Sequence, residues 1–296
     1  MIKKSGIITL CGRPNVGKST LTNALVWEKV AIVTNKPQTT RNRICAVLNR
    51  GESQFVFVDT PGLHKARTRL GDYMVKVVKE SVADVDAVLL LVEPIPHIGG
   101  PEAELIRRIK ELNVPAVLVI NKIDTVEKEE LLSVMQVYGA AHDFAAIVPI
   151  SAKRNEGVDE LLGLLAQFLP EGPQLFPEDM VTDQPERQVC AEIIREKLLL
   201  CLDKEIPHGT AVEITTFSER DDGIIDLDAT IYCEKASHKG IIIGKGGAML
   251  KKISTLARTD IEAFMGTKVF LQTWVKVKEN WRDNMNLIKN FGYRDE

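Results

Sequence analysis

No apolar run in this 296-residue sequence approaches the roughly 18 residues that span a bilayer. Ahead of Cys11 there is only a short apolar stretch, too brief for the core of a secretory signal, so a cytoplasmic protein is expected. Cysteine is scarce as well. Cys11, Cys45, Cys190, Cys201 and Cys233 are odd in number and lack C-x-x-C spacing, so neither a disulfide framework nor a zinc site is indicated. They are expected as small core residues. The five histidines, His64, His97, His142, His208 and His238, show no metal-ligand spacing. Aromatic residues make up 5%, and Trp27, Trp274 and Trp281 are expected to pack rather than stack on bases. The net charge of -3 gives no global basicity, so any nucleic-acid site must be a local patch. Internal repeats and low-complexity tracts are absent.

What is present is ordinary soluble composition, 45% hydrophobic and 27% charged, over a length that favours two domains. Short β-branched runs at 7–10, 44–48, 55–58, 87–92, 116–120 and 147–150 alternate with helical periodicity at 18–27, 70–81, 102–112, 128–139 and 158–169. This pattern predicts an α/β domain over 1–172 with a mostly parallel, helix-flanked sheet, whose ligands sit at the carboxyl ends of the strands. A proline-rich stretch without periodicity, 173–185, reads as a linker. From 186 to 296 the order changes: a helix at 186–202, strands at 211–217 and 224–233, a helix at 247–264, a strand at 268–277 and an amphipathic helix at 281–288. This half is a smaller α+β domain.

Gly12-Arg13-Pro14-Asn15-Val16-Gly17-Lys18-Ser19 follows the first strand and opens a helix, matching G-x-x-x-x-G-K-[ST]. Such a loop turns successive N–H groups onto phosphate oxygens, and the helix adds its positive end. Lys18 would reach the β- and γ-phosphates and Ser19 would ligate Mg²⁺, with Thr20 counted in the same site. Asp59-Thr60-Pro61-Gly62 closes the third strand. Asp59 would hold the metal and the Gly62 N–H would meet the γ-phosphate. Asn121-Lys122-Ile123-Asp124 and Ser151-Ala152-Lys153 follow the fifth and sixth strands. Asp124 offers two acceptor oxygens to the N1–H and 2-amino donors of guanine, which adenine lacks. Lys122 would pack its stem on the base, and the Ala152 N–H would meet O6. In the loop 31–43, Thr40 is expected to close on Mg²⁺ in the GTP state, with Thr39 its rival. Lys18, Thr40 and Gly62 form the expected catalytic set, and Ser19, Thr40 and Asp59 the metal set.

In the second half, Gly244-Lys245-Gly246-Gly247 forms a G-x-x-G loop before a helix, a device that lets backbone approach a phosphate chain, as in KH domains. No acid occurs between Glu234 and Asp260, while Lys235, Lys239, Lys245, Lys251, Lys252 and Arg258 supply cations. The local basic patch is here.

The GRPNVGKS, DTPG, NKID and SAK motifs, the QTTR loop and the IIGKGG loop together resemble the Era family of bacterial ribosome-assembly GTPases, over essentially the whole chain. The resemblance implies a P-loop GTPase domain followed by a type II KH domain. It also implies binding to small-subunit ribosomal RNA near its 3′ end during maturation of that subunit, and peripheral association with the cytoplasmic face of the inner membrane. A monomer is expected. Leu63 stands where small GTPases carry a catalytic glutamine. Related GTPases use a P-loop asparagine to help hold K⁺, a role that would fall to Asn15. Two rival readings stay open: a membrane-associated signalling GTPase whose KH-like domain binds a protein, and a general RNA-binding protein with incidental hydrolysis.

Overall fold

Runs apolar on both faces become central strands, and segments apolar on one face become the helices that cover them. The computed structural model describes residues 2–293. Met1 and residues 294–296, at the outer ends of the two expected domains, lie outside the described residues. The first part runs β1 (Lys4–Cys11), α1 (Lys18–Val26), β2 (Ile44–Arg50), β3 (Ser53–Asp59), α2 (Arg69–Glu80), β4 (Ala87–Val92), α3 (Gly100–Leu112), β5 (Ala116–Ile120), α4 (Lys128–Ala141), β6 (Ala146–Pro149) and α5 (Val158–Leu165). Sheet order is β2-β3-β1-β4-β5-β6, all parallel except β2, which pairs antiparallel with β3. β3 lies on one side of β1 and β4 on the other, so the carboxyl end of β1 is a topological switch point. The 12–19 loop leaves from it.

α1 buries Lys18, Leu21, Thr22, Leu25 and Val26, the spacing of one helical face. Each apolar side chain so buried stabilises the fold by about 1.5–3 kcal/mol. The helix ends at Val26, one residue short of expectation, because Trp27 is left-handed at φ 56°. α5 likewise stops at Leu165, and a turn over 166–168 replaces the last part of the helix expected to 169.

The chain divides into two compact units, the first holding residues up to 31, 40–65 and 73–183, the second 32–39, 66–72 and 184 onward. Residues 173–183, read as linker, therefore count with the first unit. They run along β2, the sheet edge. Val47 N donates to Val181 O (2.8 Å), and the Thr182 hydroxyl donates to Cys45 O (2.8 Å). Buried Gln54 donates to Asn49 Oδ1 and Phe176 O, and accepts from the amides of Leu175 and Phe176. An edge strand left bare is a template for foreign strands, and this segment covers it.

The second unit contains α6 (Glu186–Cys201), β7 (Ala211–Glu219), β8 (Ile225–Cys233), α7 (Ala236–Ile243), α8 (Ala248–Met265), β9 (Val269–Val277) and α9 (Met285–Asn290). β8 lies between antiparallel β7 and parallel β9. α6 and α8 supply Ile193, Ile194, Leu198, Ile253, Ala257 and Ile261 to the core over this sheet. The expected helix at 281–288 is a 3-10 turn at Trp281–Asp283, then α9 capped by the Asn284 side chain. Trp281 is fully buried and donates to Gly209 O, but the packing expectation fails for the other two tryptophans. Trp27 is 59% exposed, and Trp274, on the edge strand β9, is 45% exposed. Cys11, Cys45, Cys190 and Cys233 are buried and Cys201 is half-buried.

Candidate nucleotide and RNA sites

The phosphate loop is set by its backbone. Gly17 caps α1 at φ 98°, and a Cβ there would lie 2.2 Å from Asn121 Nδ2, so only glycine fits. Lys18 is buried and donates to Gly12 O (3.1 Å) and Arg13 O (3.0 Å). Burial lowers its pKa, against the opposing pull of Asp59. Gly62 backs onto Pro14, and Thr60 donates to Leu10 O.

Asn121 braces the loops. Its Nδ2 donates to Val16 O (2.8 Å) and its Oδ1 accepts from Ala152 N (3.0 Å). The Ala152 N–H expected at guanine O6 is thus engaged by Asn121, because Asn121 spans the phosphate loop and the loop after β6. Asp124 Oδ1 accepts from the Ser151 hydroxyl (2.7 Å), a bond that heads the causes holding its carboxyl below the usual range. Each carboxylate oxygen has two lone pairs, so both oxygens can still accept from a base. Lys153 is exposed beside this pair.

Three oxygen groups from distant parts of the sequence converge. Ser19 Oγ lies 2.6 Å from Asp59 Oδ2 and 2.7 Å from Thr40 Oγ1. Thr39 is elsewhere, its hydroxyl bonded to Thr34 Oγ1 (2.6 Å) and Lys36 O (2.7 Å). Burial pushes the Asp59 carboxyl up to about 6, opposed by Lys18 and the Ser19 hydroxyl. Its Oδ1 is buried without a hydrogen bond among the described residues. Two hydroxyls and a carboxylate form an all-oxygen set that suits a hard dication such as Mg²⁺.

Two charge networks escaped the sequence reading. Glu93, directly after β4, accepts from both Arg13 and Lys122, and Arg13 also reaches buried Glu102 in the first turn of α3. Within the second unit, buried Arg195 on α6 donates to Thr39 O and pairs with Glu192 (2.8 Å). Glu196 accepts from Val33 N (2.9 Å), and Lys197 joins Glu196 (2.7 Å) to Asp260 on α8 (2.5 Å). Glutamates and arginines without a motif carry no sequence signal for such pairing.

At the G-x-x-G loop, α7 ends in Gly244 at φ 74°, where a Cβ would strike the Met249 Cβ at 2.7 Å. Gly246 and Gly247 are left-handed, and Gly247 caps α8. Lys245, Lys251 and Lys252 are exposed and Lys239 is half-buried. The lysines on the loop and the first turns of α8 form a solvated cationic edge.

A family model described as a 50S ribosome-binding GTPase matches residues 7–122, and one described as a KH domain matches residues 205–282. GTPase Era of Ruminiclostridium cellulolyticum is 52% identical over 294 residues, 99% of this chain and 99% of the relative. A crystal structure of Era with MgGDPNP and nucleotides 1506–1542 of 16S ribosomal RNA is similar at TM-score 0.95 and 37% identity, covering 99% of this chain and 100% of that one. A point variant of Aquifex aeolicus Era bound to GDP·AlF4⁻ is similar at TM-score 0.95 and 38% identity, with the same coverage.

Proposed function

The chain belongs to the Era family of GTPases, and from that membership we propose a switch that binds small-subunit ribosomal RNA near its 3′ end and serves maturation of that subunit. It hydrolyses GTP to GDP and phosphate. The observation that carries the RNA assignment is the end-to-end likeness to an Era chain solved with nucleotides 1506–1542 of 16S RNA. The description naming the 50S subunit belongs to a model matching only residues 7–122, ahead of the KH half, and so does not bear on what that half touches.

In this reading residues 12–20 cradle the phosphates, Asp124 reads guanine, and Lys122, Ser151, Ala152 and Lys153 shape the base pocket. Ser19, Thr40 and Asp59 hold Mg²⁺, which supplies charge stabilisation to the phosphoryl group. The Gly62 N–H and the Lys18 ammonium stabilise charge on the γ-phosphate. Asn15, at φ 65° in the phosphate loop, helps hold K⁺ in place of an arginine finger. Residues 244–247 with Lys239, Lys251 and Lys252 take the RNA backbone.

The unit boundary falls between Thr39 and Thr40, which supports a switch. Thr40 answers to the metal, whereas 32–39 answers to α6, so loss of the γ-phosphate would be felt along one peptide bond. No helix among the described residues is long and apolar enough to cross a membrane, and peripheral association is the form of membrane binding proposed. Crosslinking followed by sequencing of the recovered RNA tests the reading. Fragments from the 3′ end of small-subunit RNA are expected. Scattered messages, or no RNA, would overturn it in favour of a general RNA binder or a signalling GTPase.

A further inference from the structure

Glu93 stands between the loop after β1 and the loop after β5. Its Oε1 accepts from Lys122 Nζ at 2.5 Å and its Oε2 from Arg13 Nη2. Arg13 Nε also lies 3.4 Å from Glu102 Oε1, a carboxylate buried at the start of α3. The side chains of Lys122, Arg13 and Glu93 are 37%, 34% and 24% exposed, so solvent screens their charges only in part. One carboxylate thus links a residue of the base motif to a residue of the phosphate loop.

We infer that Glu93 is a positioning residue for nucleotide binding, holding the Lys122 stem and the phosphate loop in register before GTP arrives. The inference rests on Lys122 and Asp124 lying against the base. A lysine left free must surrender the freedom of four rotatable bonds when its stem is packed, and a loop left free must be ordered at the same moment. Glu93 orders both beforehand. The gain is common to GTP, to the transition state and to GDP, because the base and inner phosphates are shared. Such uniform binding sets KM and leaves kcat alone. Glutamine at this position keeps the volume but accepts at one oxygen only and turns a donor toward the second cation.

Steady-state hydrolysis and GDP release of the full chain test this. Glu93→Gln should raise KM and the release rate about three- to tenfold with kcat changed less than about twofold. Glu93→Asp should recover part of the loss, and the effect of Glu93→Gln should shrink in an Arg13→Gln background, since both remove one link. An unchanged KM in a folded variant overturns the inference. So does an effect fully additive with Arg13→Gln, or a lowered unfolding temperature without a change in KM. Asp124→Asn, measured alongside, should move preference from guanine to xanthine nucleotides, because xanthine presents an acceptor where guanine has its 2-amino donor. Retained guanine preference there removes the base-site reading itself. A switch to xanthine with an unchanged Glu93→Gln KM removes only the tether.

Discussion

Thr39 and Thr40 are identical in chemistry and adjacent in sequence, yet their hydroxyls serve different neighbours. Thr40 Oγ1 joins Ser19 and Asp59, while Thr39 Oγ1 closes a turn with Thr34 and Lys36. Thr40→Ala should lower Mg²⁺-dependent GTP hydrolysis by roughly tenfold or more, whereas Thr39→Ala should leave the Mg²⁺ titration midpoint unchanged. Equal losses in the two variants would remove Thr40 from the metal set. The motifs P-loop, D-x-x-G, N-K-x-D and S-A-K were legible because each chemistry demands fixed residue types at fixed spacing. The choice between two threonines was not, because only the path of the backbone separates them. Leu63 is a related case: it is buried with Cys11, Val78 and Val88 and carries no polar group that could orient a water. Turnover should therefore rise when K⁺ replaces Na⁺ at constant ionic strength, and Asn15→Ala should abolish the difference. Identical rates in the two salts would leave an activator supplied by RNA or the ribosome as the alternative.

Among the elements, α8 couples a core face to a cationic start. Ile253, Ala257 and Ile261 recur every four residues on the buried side, while Lys251 and Lys252 lie exposed in its first turns beside Lys245 of the loop. Changing Lys245 and Lys251 to Glu should weaken RNA binding and reduce the slope of log affinity against log salt by about 2, leaving GTP affinity intact. Filter binding at several salt concentrations measures both, and an unchanged slope would refute phosphate contact by this loop. α8 was legible because eighteen residues of clear periodicity end in glycine on both sides. α7 was not: it is eight residues long, Ile241 is exposed and only Ile242 is fully buried, so its apolar run hides the helical period. The start of α9 was misplaced because Trp281 looks like a helix residue and is instead drawn inward by its bond to Gly209 O. The stretch 173–183, part of the 173–185 read as a linker, makes contacts that its sequence does not announce. Its prolines exclude periodic structure, but they do not reveal hydrogen bonds borrowed from β2 and Gln54.

For the molecule as a whole, α6 is the costly element, with Arg195, Glu196 and Lys197 all buried in succession. Buried charges are retained only where partners satisfy them, and removing one partner leaves the other stranded. Arg195→Leu should destabilise the second unit by roughly 2–4 kcal/mol, read from chemical denaturation, and should free residues 32–39 to exchange their amide hydrogens faster. Unaltered exchange over 32–39 would mean that Arg195 does not hold that segment.

The assignment of residues 32–39 to the second unit bears on how the enzyme can be divided. A protein cut after Asp183 would retain every nucleotide motif, yet Val33 N and Thr39 O would lose Glu196 and Arg195 and turn to water. Thr40 would keep its bond to Ser19 but follow a slack segment open to proteases, and more of its ordering would fall to Mg²⁺. The smallest fragment faithful to the GTP chemistry is therefore longer than the domain that carries the nucleotide motifs, and kinetics measured on the shorter piece would describe a different switch.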